Sequence, residues 1–176
     1  MLYTRKGDKG TTKLFCDQQR ISKSSEIPEA LGALDELNAF LGFVKVRAQH
    51  SSRIAGAIRE IQENLFIVQA EVAGADKKIK KRAVKNIEKL INEIEKEIPK
   101  IKGFSIAGGT ELSSLLDVAR TISRRAERRI VAIKDLHLKK ISNETTVYMN
   151  RLSSFLFALA RLANYLAGVA EENPKY

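Results

Sequence analysis

The 176-residue chain has no tryptophan, one cysteine, two histidines and three prolines. Cys16 has no second thiol with which to close an internal disulfide, and its simplest role is that of a small buried or half-buried side chain. His50 and His137, with that one thiol, make no convincing zinc set. No apolar run approaches the roughly 18 residues of a membrane span. The N-terminus lacks the basic, apolar, small-residue order of a signal peptide. These absences predict a soluble, cytoplasmic chain with its start intact and no membrane partner. The length suits a single domain with a real core, 1–176.

Charge is the abundant commodity. Thirty-one Lys and Arg face 21 Asp and Glu, a formal net charge of +10. Such a balance permits a nucleic acid, an anionic lipid or a polyphosphate, and the distribution decides between them. The densest run is Lys77, Lys78, Lys80, Lys81, Arg82 and Lys85, which opens a segment of helical apolar spacing and reads as a solvated helix face. Glu88, Glu93, Glu95 and Glu97 follow it. The positive charge is therefore diluted, and a nucleic-acid partner is not expected. An RNA-binding reading would rest on net charge alone, and a gel shift lost at moderate salt without sequence preference would leave it unsupported.

Residues 1–28 lack helical period and predict an irregular or partly extended N-terminal segment. Pro28 stands where a helix can begin, and Leu31, Leu34, Leu37, Leu41 and Val44 give the first one, about 29–49. Ser51 or Ser52 caps a second, on Ile54, Ile58, Ile61, Leu65, Val68 and Val72, ending near Gly74. A third runs from about 79 to Pro99. Thr110 caps a fourth, 110–134, and Ser142 or Asn143 starts a fifth that carries apolar residues through Leu166 and stops before Pro174. Five amphipathic helices with short links predict an all-α, up-and-down five-helix bundle over 29–172.

Three places do not read as ordinary bundle surface. The first is "YTRKGDKGTT" at 3–12, whose glycines let backbone approach a ligand and whose Thr, Lys and Arg supply donors for phosphate oxygens. It is not a P-loop, and a solvated turn is the plainer alternative. The second is the fourth helix, where Asp117, Arg120, Arg124, Glu127 and Arg128 form a stripe beside the apolar one. Like charges spaced by four repel by a few tenths of a kcal/mol per pair, which a polyanion or a ladder of surface ion pairs would relieve. The third is the face of the fifth helix carrying Asn150, Ser154, Phe157, Arg161 and Asn164. Aromatic and polar groups together there predict contact with a second subunit, a ligand or both, against simple packing of Phe157 on the first helix. Asn38, inside the first helix's apolar arc, reads as a core amide.

"YTRKGDKGTT", Lys23, "ALGALDELN" at 30–38, "GFSIAGGTELSSLLDVARTISRRAERRIVAI" at 103–133 and "YMNRLSSFLFALAR" at 148–161 together resemble the ATP:cob(I)alamin adenosyltransferases of the trimeric five-helix-bundle type. The resemblance spans residues 3 to about 166. It implies that the N-terminal segment wraps ATP, with Thr4, Arg5, Lys6, Gly7, Asp8, Gly10, Thr12, Lys13 and Lys23 in the nucleotide site. Arg124, Glu127, Arg128 and Asn150 complete it across a subunit boundary. It further implies an Arg120–Asp35 pair across that boundary, and catalytic work by Arg124, Arg120, Asp35 and Phe104. Phe104, Asp35 and Asp117 fall on the cobalamin side.

The activity so implied moves the 5′-deoxyadenosyl group of ATP to cobalt and releases triphosphate. The nucleophile is Co(I) of the substrate, so a chain poor in His and Cys suffices. Mg²⁺ would ride mainly on the ATP phosphates, and Phe104 would exclude the lower axial ligand of cobalt. A homotrimer, a reductase and an adenosylcobalamin-dependent enzyme are the implied partners. A noncatalytic cobalamin carrier or nucleotide-responsive escort trimer is the alternative. Two positions depart from the family: Ala107 stands where proline is usual, and Asp117 where histidine is frequent.

Overall fold

The computed structural model describes residues 3–15, 17–101 and 103–175, and the reading of Cys16 lies outside them. Five helices carry the fold: α1 Glu26–Arg47, α2 Ser52–Val72, α3 Lys81–Glu97, α4 Glu111–Asp135 and α5 Asn143–Leu166. Their order across the bundle is α2, α1, α4, α5, α3.

Side-chain links fix the directions. Gln62 Nε2 donates to the Asn38 carbonyl, so α2 runs back along α1. Arg47–Glu111 and Arg129–Glu29 set α4 antiparallel to α1, and Asn150–Glu127 sets α5 antiparallel to α4. Arg151–Glu88 and the Arg161 bond to the Pro99 carbonyl lay α3 parallel to α5. The bundle is thus up-down-up-down-up, as the helical periods predict.

The expected stripes meet in one core. Leu34, Leu37 and Leu41 of α1, Ile58 and Leu65 of α2, Leu116 of α4 and Leu152 and Leu156 of α5 are buried. Each such side chain contributes about 1.5–3 kcal/mol of transfer free energy. The lysine run 77–85 is solvent-exposed, as its charge demands.

Caps settle the open alternatives at helix starts. Ser51, Thr110 and Ser142 accept from the backbone N–H groups of Ile54, Ser113 and Thr145. Three boundaries differ from expectation. α1 begins at Glu26, because Pro28 falls in its first turn, where a missing N–H costs nothing. α3 is shorter than 79–99: Ile79 and Ile98 stay buried, on extended backbone beside Lys80 and at the C-cap. α5 ends at Leu166, well before Pro174, because Gly168 takes φ +68 and Val169 N–H returns to the Asn164 carbonyl. The helical part of the expected 29–172 bundle therefore stops at 166.

The N-terminal segment is partly extended, as its lack of helical period predicts. β1 Thr11–Lys13 and β2 Arg20–Ser22 form an antiparallel hairpin with Thr12 opposite Ile21. Buried Leu14 anchors it to the core. One further tie escaped the sequence reading. The Glu71 carboxylate at the end of α2 is buried, accepting from Ser142 N–H at 2.7 Å and from the hydroxyls of Ser142 and Thr145. A carboxylate at the N-terminus of α5 is stabilised by the N–H groups and the helix dipole there.

Candidate functional site

Two turns shape the segment 4–13. Asp8 N–H bonds the Arg5 carbonyl and Gly10 N–H bonds the Gly7 carbonyl, while Arg5 and Gly10 take φ +58 and +74. Lys23 closes the loop from the far side of the hairpin. Its N–H donates to the Gly10 carbonyl at 2.9 Å, and its ammonium lies 2.9 Å from where a Cβ on Gly7 would stand. Gly7 is therefore what lets the lysine lie across the turn. Thr4, Arg5, Lys6, Gly7, Asp8, Gly10, Thr12, Lys13 and Lys23 thus fall on one loop and hairpin, most of them exposed. Thr12, Lys13 and Lys23 also line a hollow of ≈ 400 Å³ closed by Pro28, Leu31 and Ala73.

Arg20 is a member of this loop that the sequence reading missed. Its Nε donates to Thr11 Oγ1 at 2.9 Å, and its Nη2 donates to the carbonyls of Thr11 and Lys6. Only the strand register, which places Arg20 opposite Lys13, could have pointed to it.

The charged stripe of α4 borders a separate cleft of ≈ 600 Å³ between α4, α5 and the loop after α3. Arg120 and Arg124 line one wall, Ser153, Ser154 and Phe157 another, and Phe104 stands at the rim. Arg120 is engaged within the chain: its Nε donates to Asp117 Oδ1 at 2.9 Å, and its guanidinium lies 5.9 Å from the Phe157 ring centroid. Asp117 is thus the partner that orients Arg120 within the chain. Glu127 is held by Asn150 at 3.0 Å, joining α4 to α5. Arg124 and Arg128 are exposed and make no ion pair among the described residues. The cleft therefore holds unneutralised positive charge.

Phe104 is 80% exposed, so its ring is not packed into the bundle. Behind it, Gly108 and Gly109 take φ +130 and +104, conformations that side chains resist. Asn164 grips this turn. Its Oδ1 accepts from Thr110 N–H and hydroxyl, and its Nδ2 donates to the Gly108 carbonyl at 2.8 Å. A Cβ on Gly109 would sit 2.6 Å from Asn164 Oδ1. Gly109→Ala is accordingly expected to destabilise the protein by roughly 1–3 kcal/mol, combining backbone strain with loss of the Asn164 bonds. Thermal unfolding measures it, and an unchanged melting temperature would contradict the packing described.

The polar face of α5 divides in two, which corrects the expectation that all of it awaits a ligand or subunit. Arg161 and Asn164 are buried and engaged inside the chain, by Glu171, Pro99 and the 108–110 turn. Ser154 and Phe157 remain open to the cleft. Asn38 is buried, but its Oδ1 has no hydrogen-bond partner among the described residues, so it is not the satisfied core amide expected. Asp35 lies elsewhere, exposed on α1 in a hollow with Gly32, Phe66 and Gln69, and does not meet Arg120 within the chain. No hydrogen bond or ion pair among the described residues joins the loop 4–23 to Arg124, Glu127, Arg128 or Asn150.

Among the described residues, no group of three or more His, Cys, Asp and Glu could hold a metal ion, and no helix is long and apolar enough to cross a membrane. The sequence matches the family described as cobalamin adenosyltransferase over residues 2–163. A corrinoid adenosyltransferase of Bacillus subtilis is 36% identical over 177 residues, covering 97% of this chain and 90% of its own length. One from Mycobacterium bovis is 35% identical over 171 residues, covering 93% and 88%. A phenylalanine-to-histidine variant of a PduO-type ATP:corrinoid adenosyltransferase from Lactobacillus reuteri, complexed with cobalamin and ATP, superposes with a TM-score of 0.92 at 33% identity, covering 99% of this chain and 97% of that one. An arginine-to-lysine variant from the same organism, complexed with ATP, gives 0.90 at 34% identity, covering 99% and 100%.

Proposed function

Because the chain belongs to the cobalamin adenosyltransferase family, we propose that it transfers the 5′-deoxyadenosyl group of ATP to the cobalt of cob(I)alamin, giving adenosylcobalamin and triphosphate. The observation that carries this reading is the α4–α5 cleft, where Arg124, without an ion pair among the described residues, shares the opening with exposed Phe104. A cation for the leaving phosphates and an aromatic for the corrinoid stand on one opening.

The bond changes assign work to each group. The cobalt(I) lone pair forms the Co–C5′ bond while the C5′–O bond breaks, its electron pair departing on the triphosphate. No side chain need act as nucleophile. The residues instead orient C5′ in line with cobalt and stabilise charge on the departing oxygens. Thr4, Lys6, Thr12, Lys13 and Lys23, with the backbone of Gly7 and Gly10, would cradle the phosphates. Arg124 and Arg128 would supply fixed positive charge. Glu127, oriented by Asn150, would accept from the nucleoside. The described residues gather no carboxylate cage, so Mg²⁺ would be held by phosphate oxygens, as this ion commonly is.

Among the described residues, no hydrogen bond or ion pair within one chain joins the two proposed halves of the nucleotide site, or Asp35 to Arg120. A homotrimer with each site built by two subunits would unite both pairs. Its expected mass in solution at micromolar concentration is three times the chain's, and a monomeric mass would contradict shared sites. The proposed setting is the cytoplasm, with a reductase supplying the low-valent cobalt and an adenosylcobalamin-dependent enzyme taking the product.

An anaerobic assay with reduced cobalamin and ATP tests the reaction. Adenosylcobalamin and triphosphate should appear in equal amounts, read by absorbance and by phosphate analysis. A carrier or escort would yield neither.

A further inference from the structure

Beyond α5 the chain turns back at Gly168 and runs beside the loop 103–109. Arg161, 7% exposed, directs Nε and Nη2 at the two carboxylate oxygens of Glu171, and Nη2 also donates to the Pro99 carbonyl at 2.7 Å. A buried guanidinium is costly unless paired, and the tail brings the carboxylate that pairs it. The next two tail residues then hold the loop. Ile106 N–H donates to the Glu172 carbonyl at 2.8 Å, and Asn173 Nδ2 donates to the Phe104 carbonyl at 2.7 Å.

Among the described residues, these are the only hydrogen bonds made by the backbone of 103–107. Glu171, Glu172 and Asn173 are themselves exposed, and the tail thus adds little burial to the bundle. What it fixes is the loop.

We propose that Arg161 is a positioning residue for Phe104, acting through its ion pair with Glu171 and the C-terminal tail that this pair anchors. The functional consequence rests on the reading of Phe104 as the group that excludes the lower cobalt ligand. With the latch cut, the loop samples other positions and Phe104 no longer stands over the cleft.

The test uses Glu171→Gln and, because that change leaves Arg161 half-paired and can lower stability, Asn173→Ala as a second variant that touches only an exposed side chain. Hydrogen exchange at the Ile106 amide should accelerate by about tenfold or more in either variant, with exchange in α1 and α4 unchanged. The rate starting from Co(II) with a chemical reductant should fall several-fold, while the rate from prereduced Co(I) and the affinity for ATP stay close to the parent's. Unchanged Ile106 exchange in both variants overturns the latch. So does equal loss from both oxidation states, which a merely structural role would give. Phe104→Ala, run alongside, separates the two ideas: if it leaves the Co(II)-to-Co(I) ratio unchanged, the reading of Phe104 has failed, and Ile106 exchange alone then decides whether Arg161 holds the loop.

Discussion

Arg124→Ala lowers kcat/KM for ATP by roughly ten- to a hundredfold, the equivalent of a charge-assisted contact of about 1.5–3 kcal/mol. The direction follows from the site itself. Arg120 is spoken for by Asp117 and the Phe157 ring, whereas Arg124 has no carboxylate partner among the described residues. Its charge contributes little to folding, and its side chain is exposed, so the variant should unfold within a degree or two of the parent, as surface substitutions do. Calorimetric titration with ATP and steady-state rates check both halves. A folded variant with unchanged affinity and rate would remove Arg124 from the nucleotide site.

Phe104→Ala divides the reaction by the oxidation state of its substrate. At 80% exposure the ring has little transfer energy to lose, so the several-kcal/mol cost of truncating a core phenylalanine is not expected. ATP binding should stay near the parent's if Phe104 serves the corrinoid, as proposed, and not the nucleotide. The rate from prereduced Co(I) falls modestly, and the rate from Co(II) falls by about tenfold or more, because an axial ligand that returns to cobalt makes reduction harder. The EPR spectrum of cob(II)alamin with ATP bound supplies the direct readout. A four-coordinate signal in the parent and its absence in the variant support the role; an identical signal in both contradicts it.

The helices were legible because burial here is one-sided. Leu34, Leu37 and Leu41 on α1 and Ile54, Ile58 and Ile61 on α2 repeat at the helical period, and all six are buried. Ends were legible where a side chain does the capping, as at Thr110 and Ser142, and not where backbone conformation decides, as at Gly168. The loop 4–13 stood out by its residue types, whereas Arg20 did not, because its role depends on the β1–β2 register. Arg161 and Asn164 were misread for a related reason. A polar residue on a helix face looks the same in sequence whether it serves a ligand or a returning segment of its own chain. The Glu71 contact with Ser142 and Thr145 spans some seventy positions and leaves no local pattern.

The central claim is that the loop 4–23 and the α4–α5 cleft are halves of one active site that meet between copies of the chain. Co-expression of Lys23→Ala with Arg124→Ala tests it most directly. Each variant alone should be nearly inactive, since each spoils every site in a symmetric assembly. In a mixed trimer some sites draw both intact halves from different chains, so activity should recover to about a quarter of the parent's for random assembly. Mixed assemblies no more active than either variant alone would show that each chain works with its own two halves, and would contradict the shared site.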